Sequence, residues 1–126
     1  MTALRISATA ALVLALSAPA ASQPVRPTFT VALDSFFYAP RPIVLAAGRP
    51  VRMVFVNRSG SGHDFTARRF FRSARILRGA VSEGEIELAG HGTAVVDLVP
   101  ARGRYKVHCS HFGHKQMGMR TEIIVS

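Results

Sequence analysis

Residues 105–119 read YKVHCSHFGHKQMGM and join a strand-like segment to a loop rich in histidine and methionine. In the first part, Tyr105, Val107 and Cys109 alternate with polar or charged residues, which is typical of a strand with one buried face. This alternation turns the Cys109 thiol towards the interior of the domain at the end of the strand. The segment therefore predicts a buried thiol directly before a short loop of potential metal ligands.

The same period-two alternation recurs along most of the chain, in the segments 28–33, 51–56, 85–88, 93–98 and 123–125. Turns that contain proline, glycine or asparagine separate these segments. The segment 51–56 is apolar on both faces apart from Arg52, as a central strand of a sandwich would be. Six to eight short strands at this spacing predict an all-β fold, either a β-sandwich or a Greek-key barrel.

One segment, residues 67–77, breaks the alternation and reads ARRFFRSARIL. Phe70, Ala74 and Leu77 recur at helical spacing, which predicts a short amphipathic helix, or a few loose turns, inserted between strands and stopped by Gly79. Five arginines lie on or beside the other face of this helix: Arg68, Arg69, Arg72, Arg75 and Arg78.

Composition limits the classes of protein that fit this chain. Its 126 residues suit one domain, and 48% hydrophobic residues with 18% charged residues argue against intrinsic disorder. Sixteen Lys and Arg against seven Asp and Glu give a net charge of +9. The single cysteine excludes an internal disulfide and any multi-cysteine zinc module.

The first 22 residues have the pattern of a secretory signal peptide. Arg5 precedes an apolar run at 6–16, and small residues follow it at 17–22. The apolar run is shorter than the roughly 20 residues of a membrane anchor, which favours cleavage. We therefore expect a signal peptide at 1–22, a periplasmic location, and one domain at 23–126. A lone cysteine in an oxidising compartment leaves four roles open: an inert buried residue, an intermolecular cross-link, a nucleophile or a metal ligand.

Three further residues complete a potential metal site with Cys109. His114 and Met119 follow it at intervals of five residues, and His63 follows a Gly-Ser-Gly turn after the segment 51–56. Sulfur ligands combined with imidazole favour copper, and a His₂Cys set with a weak axial Met is the pattern of blue-copper electron-transfer sites.

At these residues the chain resembles the cupredoxin family, which includes plastocyanin, azurin, pseudoazurin and bacterial relatives. The resemblance rests on Asn57, on His63-Asp64-Phe65, and on the motif Cys109-x₄-His114-x₄-Met119, and it extends upstream over residues 37–51. It implies a type 1 copper site with His63, Cys109 and His114 as equatorial ligands and Met119 as the axial ligand. It also implies that electrons leave through the edge of His114 within an apolar patch, for which Phe112, Gly113 and Met117 are candidates.

Two departures from the family pattern stand out. The residue after the first histidine is Asp64, where azurin and plastocyanin have Asn, and this puts the usual hydrogen bond to the cysteine sulfur in doubt. The azurin disulfide cannot form in a chain with one cysteine.

The other candidate residues receive simpler interpretations. His108 is expected to face solvent, and His91 is expected in a surface turn. His111 comes too soon after Cys109 to face the same ion, so it lines the loop or takes part in transient Cu(I) exchange. Met117 competes with Met119 for the axial role, but we expect Met117 to pack in the core. Three phenylalanines are expected in the core or anchoring the helix: Phe65, Phe70 and Phe71.

These observations predict an exported one-electron carrier with one copper ion, and not an enzyme. The alternatives are a periplasmic copper-binding or copper-delivery protein, and a cupredoxin-like interaction module without metal. The positive charge predicts an acidic redox partner, such as a cytochrome or a copper or haem oxidoreductase, or contact with an anionic membrane surface. Nucleic acid is disfavoured by the exported location, and we expect a monomer.

Overall fold

Where the structure describes the chain, ten strands in two five-stranded sheets make up most of its regular structure. The computed structural model describes residues 14–22, 25–111, 113–114 and 117–126. In chain order the elements are β1 (Thr28–Asp34), β2 (Phe37–Ala39), β3 (Ile43–Leu45), β4 (Val51–Asn57), β5 (His63–Thr66), α1 (Arg68–Ser73), β6 (Arg75–Arg78), β7 (Glu85–Leu88), β8 (Thr93–Val99), β9 (Gly103–His108) and β10 (Arg120–Val125).

The two sheets are both mixed. One has the strand order β2-β1-β4-β8-β6 and the other the order β3-β10-β9-β5-β7. The pairs β1–β4 and β3–β10 are parallel, and the remaining pairs are antiparallel. The predicted all-β sandwich with one short helix is confirmed, and β4 is central as expected. The expected six to eight strands are too few, because β2 and β3 have three residues each and cannot show an alternation.

Aromatic side chains from both sheets fill the space between them. The ring of Phe65 lies 4.8 Å from that of Phe55 and 5.6 Å from that of Tyr38, and all three side chains are buried. Phe70 and Phe71 of α1 are also buried, with Phe70 5.5 Å from the ring of Tyr105. The expectation that Phe65, Phe70 and Phe71 belong to the core is therefore confirmed.

The helix predicted at 67–77 is wrong in its second half. The helix ends at Ser73, Ala74 is extended, and the strand Arg75–Arg78 pairs with β8. An isolated helix of eleven residues has only marginal stability in water. Residues 75–78 instead form backbone hydrogen bonds with β8, which would otherwise be the edge of its sheet. Packing of Phe70 and Phe71 on the core holds the remaining six helical residues in place.

The N-terminal prediction stays a prediction. Residues 14–22 are exposed and have no regular secondary structure, while residues 1–13 and 23–24 lie outside the described residues. Among the residues described, no helix is both long and apolar enough to cross a membrane.

A buried carboxylate lies on the outer face of the first sheet. Asp97 of β8 is opposite Arg52 of β4 and only 1% exposed. It accepts hydrogen bonds from Arg52 at 2.8 and 3.0 Å and from Arg26 at 2.7 Å. These guanidinium groups, above all the hydrogen bond with Arg52, hold the pKa of Asp97 below its usual range. The cluster ties the segment before β1 to the middle of the sheet.

Replacing Asp97 with Asn should lower the free energy of unfolding at pH 7. The two arginine side chains are 27% and 45% exposed, so solvent screens the pair and we expect a loss of about 1 kcal/mol. Because the folded state lowers the pKa of Asp97, its stabilisation is present above the unfolded pKa of about 3.9 and is lost as the pH falls through the folded value. Thermal melts of wild type and Asp97→Asn should therefore converge at low pH.

The matched control is Glu122→Gln, which breaks the exposed 3.0 Å pair of Glu122 with Arg104 and should leave the melt unchanged. Equal stability of Asp97→Asn and wild type at pH 7, or a difference that persists unchanged at pH 3, would contradict this account.

Candidate metal centre

The loop before β5 is held by the side chain of Asn57, the last residue of β4. Its amide donates to the carbonyls of Ser61 at 2.7 Å and Ala89 at 3.0 Å, and its oxygen accepts from the amide of Ser59 at 3.0 Å. These bonds fix the turn through residues 58–62. The strand β5 then begins with His63, whose side chain is fully buried at the end of the sheet.

The second part of the site lies in the loop between β9 and β10. Cys109 follows the last residue of β9 and is 1% exposed, as its strand parity predicted. Its amide donates to the carbonyl of Met119 at 3.1 Å, and the amide of Met119 donates to the carbonyl of His114 at 3.0 Å. Backbone hydrogen bonds therefore draw Cys109, His114 and Met119 together. Phe112, Lys115 and Gln116 lie outside the described residues.

Three donor atoms converge where these two segments meet. Nδ1 of His114 lies 3.2 Å from Nδ1 of His63 and 3.4 Å from Sγ of Cys109. The ligand atoms of the three residues all lie within 4.8 Å of one another, with His114 half-buried and the other two residues buried. Two imidazole nitrogens and one sulfur form the donor set that copper prefers. The three predicted equatorial residues thus form a candidate metal site that fits copper.

The two methionines of the loop lie in opposite environments. Met119 is fully buried, whereas Met117 is 61% exposed. Gly118 between them has a left-handed backbone (φ 94°), which reverses the chain direction within one residue. The expectation that Met117 packs in the core is therefore wrong, because this turn places its side chain outside.

Burial and neighbouring charges set the protonation of the site. Burial, followed by the electrostatic interaction with His114 and His111, lowers the pKa of His63, which favours the neutral form of its imidazole. Burial raises the pKa of the Cys109 thiol, although hydrogen bonds from the amides of Asp64 and His111 oppose this. A neutral imidazole is ready to bind a metal, whereas the thiol must release a proton when it does so.

The sulfur hydrogen bond that the sequence put in doubt is present. The donor is the backbone amide of Asp64, which lies 3.5 Å from Sγ of Cys109. A backbone donor does not depend on the side chain at position 64, so the exchange of Asn for Asp leaves this bond intact.

The Asp64 carboxylate is hydrogen-bonded to the ligand loop. It is fully buried and accepts hydrogen bonds from the amide of Ser110 at 2.9 and 3.1 Å, from the hydroxyl of Ser110, and from the hydroxyl of Thr66 at 2.8 Å. Every partner is a donor, which suits the acceptor-only chemistry of an ionised carboxylate. Asp64 therefore links the start of β5 to the residue after Cys109.

Sequence reasoning missed the turn between β1 and β2. The Ser35 hydroxyl lies 3.1 Å from Nε2 of His63, the ring nitrogen that faces away from the site. The ring of Phe36 lies 4.9 Å from that of His114 and 6.2 Å from that of His63. A partner on the second nitrogen of a ligating histidine fixes the orientation of the ring. The alternation pattern of β1 and β2 carries no signal for either contact.

The remaining histidines lie outside the three-donor group. His111 forms a second group with Asp64 and Cys109, and its ring stacks on that of His114 at 5.3 Å. His91 is exposed in a turn, as predicted. His108 is half-buried and not fully solvent-facing, because it lines a groove with the side chains of Arg41 and Arg120.

Similar solved structures share the fold at low sequence identity. McoA, a multicopper oxidase from Aquifex aeolicus, matches 80% of this chain with a TM-score of 0.63 and 14% identity, and the chain spans only 29% of that oxidase. Auracyanin B matches 79% of this chain and 88% of its own, with a TM-score of 0.55 and 20% identity. The dithionite-reduced auracyanin of the photosynthetic bacterium Roseiflexus castenholzii matches 79% of this chain and 96% of its own, with a TM-score of 0.60 and 17% identity.

Among curated protein sequences there is no significant match. The family model of "Copper binding proteins, plastocyanin/azurin family" matches residues 27–126, which include both segments of the candidate metal centre. The chain therefore belongs to the plastocyanin/azurin family of copper-binding proteins.

Proposed function

We propose that this protein is an exported one-electron carrier with a single copper ion bound by His63, Cys109 and His114 and, more weakly, by Met119. The observation that carries the proposal is the convergence of the two imidazole nitrogens and the thiol within 4.8 Å at one end of the sandwich. When bound, copper supplies the one-electron chemistry, by cycling between Cu(I) and Cu(II).

The residues around the site favour electron transfer over bond-making chemistry. His63 begins β5 and Cys109 directly follows β9, so hydrogen-bonded sheets hold both side chains. Donors fixed in this way keep their places when the charge of the ion changes, which keeps the rearrangement on electron transfer small. With four protein donors, the site leaves little room for a substrate or a reactive water.

Backbone hydrogen bonds favour Met119 over Met117 as the weak axial donor. The amide and the carbonyl of Met119 bond to His114 and Cys109, and the side chain is fully buried. Met117 bonds through its amide to the carbonyl of Gly113, and its side chain is largely exposed. An exposed thioether three residues after half-buried His114 suits the apolar patch through which electrons would leave.

The charge distribution supports an acidic partner. The five arginines of the segment 68–78 are all exposed, in a chain with a net charge of +9. Clustered positive charge steers association with an acidic redox protein and also attracts anionic membrane surfaces. We propose the acidic redox protein as the physiological partner and the periplasm as the location.

Copper delivery is the second candidate function. Exposed Met117 favours it, because a thioether at the surface can accept Cu(I) from a partner or pass it on. The two functions differ in what happens on reduction. A carrier keeps its copper through repeated reduction and reoxidation, whereas a delivery protein releases Cu(I) to a chelator.

Replacing Cys109 with Ser should abolish the strong visible absorption of the oxidised copper protein. A serine hydroxyl cannot replace the thiolate ligand. Because serine and cysteine are similar in size, the fold should be preserved. The measurement is the visible spectrum of copper-loaded protein, with exposed His91→Asn as the control that should keep the band. An unchanged spectrum in Cys109→Ser would contradict the ligand assignment.

Replacing Met119 with Leu should raise the reduction potential by tens of millivolts, because loss of a donor destabilises Cu(II) more than Cu(I). The matched control is Met117→Leu, the same change two residues away on an exposed side chain. Voltammetry of both variants tests this. A shift in Met117→Leu with none in Met119→Leu would reverse the assignment.

Replacing Asp64 with Asn should also raise the reduction potential, because it removes a buried negative charge beside the Cys109 sulfur. Charges a few ångströms apart at an effective dielectric constant of ~20 interact strongly enough for a shift on the order of 100 mV. The control is Glu83→Gln, an exposed carboxylate in the turn before β7. A potential that stays constant or falls in Asp64→Asn would show that the carboxylate does not act through its charge.

A further inference from the structure

Three of the acidic residues of this basic protein lie in one pair of strands beside the metal centre. The chain has only seven acidic residues. Asp64 and Glu87 lie opposite each other on β5 and β7, and Glu85 follows in the same ladder, opposite Thr66. In the described residues β7 is the outer strand of its sheet, and the Glu87 side chain on it is 56% exposed. These carboxylates supply negative charge for a cation at this edge.

His111 lies between this edge and the buried donors. Its Nε2 is 2.7 Å from a carboxylate oxygen of Glu87 and 3.9 Å from a carboxylate oxygen of Asp64. The ligand atoms of His111, Asp64 and Cys109 lie within 4.8 Å of one another. Exposure falls steadily along this path, from 56% for the Glu87 side chain to 32% for His111 and 1% for Cys109.

From this arrangement we infer that His111 and Glu87 form a loading site, which binds copper first and passes it to Cys109. The inference rests on the proposed copper function. An imidazole nitrogen and a carboxylate oxygen at hydrogen-bonding distance can bind one Cu(II) ion together at the surface. The neighbouring Cys109 sulfur and the stacked ring of His114 are near enough to replace these two ligands in turn.

The transfer is an exchange of ligands without oxidation or reduction. When copper binds to Nε2 of His111 and to Glu87, the proton of their hydrogen bond leaves to solvent. The Cys109 thiol then releases its proton to solvent as its sulfur binds the ion, and the copper stays Cu(II) throughout. His111 and Glu87 take a proton back from solvent as the ion leaves and regain their mutual hydrogen bond. The ion enters at the Glu87 end of the β7 edge.

A purely structural role for the pair makes the opposite prediction. If the bond between His111 and Glu87 only ties the ligand loop to β7, breaking it loosens the loop and opens the buried donors to solvent. Copper would then load faster. If the two residues bind the incoming ion, breaking the pair removes the first ligands and copper loads more slowly.

The test follows copper loading of the metal-free, full-length protein. Aqueous Cu(II) is mixed with the protein in a stopped-flow instrument, and growth of the visible thiolate–Cu(II) band is recorded. His111→Asn and Glu87→Gln should each slow the growth about tenfold, with the final band unchanged. The double variant should be no slower than the slower single variant, because the two residues act as one site. The controls His91→Asn and Glu83→Gln should load at the wild-type rate.

Loading of His111→Asn and Glu87→Gln at or above the wild-type rate would overturn the inference and leave the proposed function intact. Glu87→Gln is the safer of the two variants, because its side chain is mostly exposed and its amide keeps the shape of the carboxylate. If the wild-type protein develops no visible band at all, the proposed function fails and the loading site fails with it.

Discussion

The metal centre depends on the contact between Asp64 and the segment that carries Cys109. Two parts of the chain 46 residues apart must meet at one end of the second sheet, and Asp64 joins them through both its backbone and its side chain. The amide points at the Cys109 sulfur, while the carboxylate accepts hydrogen bonds from the amide and hydroxyl of Ser110. In the described residues the backbone pairing between β5 and β9 is short, with Thr66 opposite His108, so side-chain contacts carry much of this junction.

Other features of the fold serve the same convergence. Asn57 fixes the turn that leads into His63, and the backbone bonds of Met119 close the ligand loop around Cys109 and His114. The β1–β2 turn covers the site from the opposite sheet, through the ring of Phe36. Hydrogen-bonded segments of both sheets thus surround the centre, which suits a site whose geometry must not change with the charge of its ion.

The sequence contained most of the site but little of what supports it. Strand parity predicted the buried position of Cys109, and residue spacing predicted His63 and His114 as its neighbours. The contacts of Ser35 with His63 and of Asp64 with Ser110 join residues 28 and 46 positions apart, and periodicity says nothing about such pairs. Helical periodicity also gave a wrong prediction where pairing with another strand determines the local structure. The second half of the predicted helix became strand β6, and the turn at Gly118 moved Met117 to the surface.

X-ray absorption at the copper edge of the natively purified protein tests the central claim most directly. The account predicts about one equivalent of copper, with one strongly bound sulfur and two imidazole nitrogens around it. A copper ion surrounded by nitrogen and oxygen alone, or a folded protein that retains no copper, would contradict it.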